Sequence, residues 1–190
     1  MRISGGGARG VPLLAPKGGS VRPATDGLRQ AVFSVLGSRT SGARFLDLFA
    51  GSGAYGLEAL SRGAISGVFV ERNARAVACL RRNIAAVTKS LGRGEADLSI
   101  LEMDALAVPL SGAAGSPDLV FVDPPYEIAT DVAPALFARL AQVVAGSPDA
   151  IVVFELPGEL DLAPPGWTLR KRLGRGARQP TAAFFGPAEA

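Results

Sequence analysis

Asp123-Pro124-Pro125-Tyr126 follows directly on the apolar run Leu119 to Val122, and no other segment of the chain is better equipped for chemistry. An exocyclic amine on a planar base or amide is a poor nucleophile because its lone pair is delocalised. Acceptors fixed in space can hold its two N–H groups and turn the lone pair towards an electrophile. The Asp123 carboxylate and the Pro124 carbonyl suit that task, and Pro124 and Pro125 stiffen the backbone carrying them. Tyr126 offers a flat face for stacking, an interaction worth about 1–3 kcal/mol per base. Adenine N6, cytosine N4, guanine N2 and a glutamine amide all present such an amine, so this motif leaves the target open.

A second constellation lies upstream. Asp47-Leu48-Phe49-Ala50-Gly51-Ser52-Gly53-Ala54-Tyr55-Gly56 joins an apolar strand to a helix, and Glu71 stands twenty residues beyond Gly51. Glycines at such a turn let a ligand approach the backbone, and a carboxylate at the next strand end can accept both ribose hydroxyls. Read literally, Gly51, Gly53 and Gly56 match a dinucleotide fingerprint, so an NAD enzyme is the rival reading. Asp47 weighs against it, because that acid would repel a pyrophosphate and welcome a cation. Asp104, with Ala105 beside it, adds a third strand-end acid suited to an adenine amine. The set Asp47, Phe49, Ala50, Gly51, Ser52, Gly53, Glu71, Asp104 and Ala105 is therefore expected to hold S-adenosylmethionine. Transfer would be an in-line displacement, with Asp123 or water taking the proton.

These residues need a scaffold that brings strand ends together. Short apolar runs at Phe45–Phe49, Val68–Val70, Leu98–Leu101, Leu119–Val122 and Ile151–Phe154 alternate with helical patterns. The patterns are Leu28/Val32/Val35/Leu36 after a Thr25 or Asp26 cap, Leu57/Leu60 up to Gly63, Val77/Leu80/Ile84/Val87, and Val132 to Val144. Weaker strands are expected near Thr168 and from Ala182 to Phe185. Alternation of this kind predicts an α/β fold with a parallel sheet covered on both faces and ligands at the carboxyl ends of its strands. Residues 1–21, rich in glycine, are read as an N-terminal arm or β-hairpin, and residues 22–190 as one methyltransferase domain.

Composition narrows the chemistry further. Among 190 residues there is no histidine and one cysteine, Cys79, which excludes Ser-His-Asp catalysis, a histidine base and a cysteine metal cluster. No metal is expected. No apolar stretch is long enough to span a membrane and no secretory leader is visible, so a cytoplasmic protein is expected. Residues 1–43 hold six cations against Asp26, and residues 166–190 hold five against Glu189. Basic ends around an acidic middle suit a polyanionic partner touching the ends.

The order of motifs resembles the RsmD family. It is carried by Met1-Arg2-Ile3-Ser4-Gly5-Gly6, Arg22-Pro23-Ala24-Thr25-Asp26-Gly27-Leu28-Arg29-Gln30-Ala31-Val32-Phe33, the glycine loop, Gly56 to Ala64, Phe69-Val70-Glu71 and Asp123 to Tyr126. The resemblance implies a class I, Rossmann-like fold with a seven-stranded, mainly parallel sheet and an N-terminal β-hairpin. It also implies methylation of the N2 amine of one guanine in 16S rRNA, with the small ribosomal subunit or its assembly intermediate as substrate. It places Arg22, Thr25 and Arg29 near the cofactor mouth and the RNA. The enzyme is expected to work as a monomer. Gln30 and Ser34 depart from the family's usual Glu and Asn, and Leu173-Gly174 from its Tyr-Gly pair. An amine methyltransferase with another nucleic-acid or amide target, and a non-catalytic RNA-binding assembly factor, are the alternatives.

Overall fold

A computed structural model describes residues 1–16, 26–108, 115–174 and 179–188. Seven strands form one sheet in the order β3-β2-β1-β4-β5-β7-β6. They are β1 (Arg44–Leu48), β2 (Ser66–Val70), β3 (Leu98–Leu101), β4 (Leu119–Val122), β5 (Ile151–Pro157), β6 (Trp167–Leu173) and β7 (Pro180–Pro187). The first five are parallel, while β7 runs antiparallel to β5 and β6 antiparallel to β7. Every residue of β4 and all but the first of β1 are buried, as expected for central strands covered on both faces.

Four helices cover the sheet: α1 (Asp26–Leu36), α2 (Ala54–Ser61), α3 (Ala74–Leu91) and α4 (Tyr126–Val143). Period-two alternation divides the core. Phe45, Phe69, Phe121 and Val153 pack towards α1, α2, α3 and the N-terminal arm. Leu46, Leu48, Val120, Val122 and Phe154 pack towards α4. Asn73 caps α3 by accepting from the amides of Arg75 and Ala76, and Gly92 closes it in the left-handed conformation.

The arm is a compact hairpin rather than a pair of regular strands. Arg2 bridges Pro12, and Ile3 exchanges backbone bonds with Val11 and Gly10. Ile3, Ala8 and Leu13 are buried. Residues 17–21 of the expected arm lie outside the described residues. Glu58 of α2 fastens the hairpin: fully buried, it accepts from the Ser4 amide and hydroxyl, each at 2.8 Å, and from Arg62 at 2.8 Å and Arg29 at 3.3 Å.

Candidate active site

The carboxyl ends of β1, β4 and β5 converge. Asp47 pairs in register with Phe121, and Phe121 with Val153. Two residues further along, the same face of the neighbouring strands presents Asp123 and Glu155. Three acids thus project from adjacent strands on the side facing α2.

Asp47 is buried and accepts the Gly56 amide at 2.9 Å. Burial raises its pKa to about 8, the Gly56 bond opposing the shift and the Glu71 charge adding to it. A carboxylate so costly to ionise is one that a bound cation would stabilise. Gly56 allows the close approach of helix to strand, since a Cβ there would stand 2.4 Å from Phe69 and 2.6 Å from Phe45.

The loop between β1 and α2 is tightly shaped. Phe49 adopts φ 57°, uncommon for a bulky side chain. Gly53 has φ 80°, and a Cβ on it would fall 2.4 Å from Leu80. The Gly51 amide donates to Glu71 Oε2 at 2.8 Å, and the Asn73 amide to Oε1 at 2.7 Å. Ala50 is buried beneath the loop, and its amide donates to the Val70 carbonyl. Buried Asn83 of α3 donates to the Ser52 carbonyl and to the Leu14 carbonyl, each at 2.9 Å, tying this loop to the N-terminal arm. Further along the rim, Asp104 caps a short turn through the Leu106 amide at 2.8 Å and meets Arg72 at 3.2 Å, with Ala105 buried behind it.

Tyr126 is the first residue of α4, so the motif runs directly into a helix that starts six residues before the expected Val132. Pro124 is buried and Pro125 is the residue preceding the helix. Burial pushes the Asp123 carboxyl well above the usual carboxylate range, reinforced by the charges of Glu155 and Asp47.

Glu155 is the functional candidate that sequence reasoning missed. The expected strand stopped at Phe154, whereas β5 continues to Pro157 and buries Glu155. Its Oε2 accepts the Tyr55 hydroxyl at 2.8 Å and its Oε1 the Tyr126 hydroxyl at 3.3 Å. Burial raises its pKa, and the two tyrosine bonds and Arg29 oppose the rise. Tyr55 itself stacks on Phe121, with ring centroids 5.3 Å apart. The available signal was parity: an acid on the same face as Asp47 and Asp123, one residue beyond an apolar run.

Arg29 departs from the expected RNA contact. Its side chain has no exposed surface, because it is drawn inward to Glu58, to Asp26 at 2.9 Å and to the Arg2 carbonyl at 2.5 Å. A guanidinium enclosed in this way joins α1 to the hairpin instead of meeting a nucleic acid. Arg22 and Thr25 lie outside the described residues. A polar depression lined by Arg39, Arg44, Asp118 and Ser147 lies at the amino ends of β1, β4 and β5, opposite the acids.

Residues 1–182 match the family described as conserved hypothetical protein 95. The chain belongs to this family, the RsmD family. It is 34% identical over 166 residues, 85% of each chain, to YlbH of Bacillus subtilis, which is named as a candidate rRNA methyltransferase. It is 38% identical over 127 residues to ribosomal RNA small subunit methyltransferase D of Escherichia coli, a match covering 66% of this chain and 60% of that relative. A solved Escherichia coli structure, yhhF, described as a candidate methyltransferase, superposes with a TM-score of 0.79 at 28% identity over 98% of this chain and 97% of that one. The class I, Rossmann-like methyltransferase architecture expected from sequence is the architecture found.

Proposed function

We propose that this chain methylates the N2 amine of a guanine in 16S rRNA of the small ribosomal subunit, acting as a monomer with S-adenosylmethionine as methyl donor. The carrying observation is the convergence of Asp47, Asp123 and Glu155 with Tyr126 at three adjacent strand ends, in a chain that belongs to the RsmD family. The choice of guanine N2 rests on the family resemblance.

The residues fit the cofactor by their chemistry. Asp47, buried without a cationic partner among the described residues, suits the positive methionine portion of the donor. Glu71 keeps lone pairs for ribose hydroxyls beyond the two amides it holds, and Asp104 and Ala105 flank the place for adenine. When bound, S-adenosylmethionine supplies a methyl group on a sulfonium, which makes the methyl carbon electrophilic.

Everything else falls to the chain. Asp123 and the Pro124 carbonyl accept the two N–H groups of the target amine and orient its lone pair. Tyr126, whose hydroxyl donates to Glu155, is the aromatic residue assigned to stacking on the flat base. The amine loses one proton as the new N–C bond forms, and Asp123 or water receives it. Glu155 is a positioning residue here: it fixes both tyrosines and, through its charge, raises the proton affinity of Asp123.

The test uses tritiated S-adenosylmethionine and small subunits from cells lacking the enzyme, followed by nucleoside analysis. Label in N2-methylguanosine of 16S rRNA is expected. Label in a different nucleoside rejects guanine N2, and absence of label rejects catalysis on this substrate.

A further inference from the structure

Helix α3 carries Arg75, Arg81, Arg82 and Lys89 and no acidic residue in eighteen positions. All four are exposed. Elsewhere on the surface Arg44, Arg62, Arg72, Arg93 and Arg172 each hold a carboxylate. Among the described residues, none of the four α3 cations makes an ion pair. Arg75 also sits in the first helical turn, where the helix dipole disfavours positive charge. A cation placed against the dipole, in a helix with no acid to offset it, is a local cost of the kind that functional surfaces retain.

The arrangement is ordered. Arg75, Arg82 and Lys89 recur every seven residues, so they lie in one stripe with about 10 Å between successive Cα atoms. Val77, Leu80, Ile84 and Val87 face the core, which turns the stripe directly outward. Ala78, Ala85 and Ala86, all exposed, flank it, so no bulky side chain keeps a docked backbone away. The helix starts three residues after Glu71, and the stripe therefore runs from the cofactor rim down the flank of the domain. Arg9 is exposed on the hairpin, whose Gly7 adjoins Leu91 at the far end of α3.

We propose that this face of α3 is a docking surface for RNA phosphates beside the active site; the inference rests on the RNA substrate proposed above. Evenly spaced cations without aromatic or aliphatic anchors match a phosphodiester backbone better than a protein surface, whose interface cores are apolar. A membrane surface fits less well, because the apolar face that would enter the headgroups is already buried in the core. The middle segment is acidic in net charge, which conceals this helix: none of its acids lies on α3, and four of its cations do.

The test is the triple variant Arg75→Glu, Arg82→Glu, Lys89→Glu, with folding checked by melting temperature and S-adenosylmethionine affinity. Binding to small-subunit RNA is followed between about 50 and 200 mM salt. Three lost phosphate contacts predict a slope of log affinity against log salt that is shallower by about 2, and affinity at low salt reduced more than tenfold. Wild-type RNA affinity that the variant retains, with the same slope, overturns this inference alone. Wild-type protein with no salt-dependent RNA affinity overturns the RNA reading as well. Loss of binding to anionic lipid vesicles with RNA affinity intact assigns the face to a membrane and overturns the proposal.

Discussion

Tyr55 donates its buried hydroxyl to Glu155 across 2.8 Å, joining the start of α2 to the end of β5 over the carboxyl end of β4. The bond spans the end of the strand that leads into Asp123, so the acid proposed for the reaction centre has a second carboxylate as its neighbour. Glu155→Gln keeps the size of the side chain and removes its charge. Because that charge raises the Asp123 pKa, its loss lowers it. If ionised Asp123 drives transfer, the acid limb of the pH–rate profile moves to lower pH in Glu155→Gln. S-adenosylmethionine affinity stays near wild type. An unmoved limb would separate Glu155 from the proton chemistry. Asp123→Ala, by contrast, is expected to reduce kcat at least about 100-fold, the loss typical of a preorganised transition-state partner.

Asp47, proposed above to face the cationic portion of the donor, would link cofactor binding to pH. Its folded pKa of about 8 exceeds the unfolded value, so between about pH 4 and 8 the folded state holds a proton that the unfolded state releases. Stability from this group is greatest at low pH and is lost as pH rises towards 8. Asp47→Asn keeps an acceptor for Gly56 and removes the titration. The ligand-free variant is expected to gain on wild type as pH rises from 5 to 8, by roughly 10 °C in Tm at the upper end. It should also lose cofactor-dependent thermal stabilisation. In the wild type, a cation that favours ionised Asp47 should bind more tightly at pH 8 than at pH 6. Pairs of melting curves with and without S-adenosylmethionine test all three statements.

Glu58 offers a stability prediction away from the reaction. Glu58→Ala removes the buried carboxylate from Arg29, which keeps the half-exposed Asp26 and the Arg2 carbonyl, and broken buried pairs typically cost about 3–5 kcal/mol. In a domain of this size that corresponds to a Tm lower by roughly 10 °C. The Ser4 amide and hydroxyl lose their acceptor as well, so the hairpin around Gly5 and Gly6 should become sensitive to limited proteolysis before the domain unfolds. Simultaneous cleavage and unfolding would mean that the arm is held by its apolar contacts and its hydrogen bonds to Ser61 and Asn83, without need of Glu58.

Most of the sheet was legible because its central strands are largely apolar on both faces and carry an acid at or next to their carboxyl ends, Asp47 within β1, Glu71 after Val70 and Asp123 after Val122. The strand ends carried the glycine loop, the acids and the Asp-Pro-Pro-Tyr motif with them. Glu155 was not legible because an acid after an apolar run reads as the end of a strand, and only pairing with β7 keeps Glu155 inside β5. Arg29 misled for the opposite reason: arginine is charged and long, so the default expectation is a surface, and the buried acid that draws it inward lies twenty-nine residues away in sequence. Early helix formation at Tyr126 was hidden by two prolines, which read as a turn although Pro125 is well suited to precede a helix. Among the described residues no helix is long and apolar enough to cross a membrane.

The two glycines of the loop between β1 and α2 should differ in what they tolerate. Both have positive φ, 54° for Gly51 and 80° for Gly53, so alanine at either position incurs about 1–2 kcal/mol of backbone strain. Their surroundings then diverge. A Cβ on Gly51 would meet nothing closer than the Phe49 carbonyl at 3.9 Å, while one on Gly53 would lie 2.4 Å from Leu80 and 3.2 Å from Leu57, both fully buried. Overpacking a core adds about 1–3 kcal/mol, so Gly53→Ala should melt several degrees below Gly51→Ala. Shortening the offending side chain tests the cause directly: Leu80→Ala in the Gly53→Ala background should cost less than Leu80→Ala alone, and strictly additive losses would assign the whole effect to backbone strain.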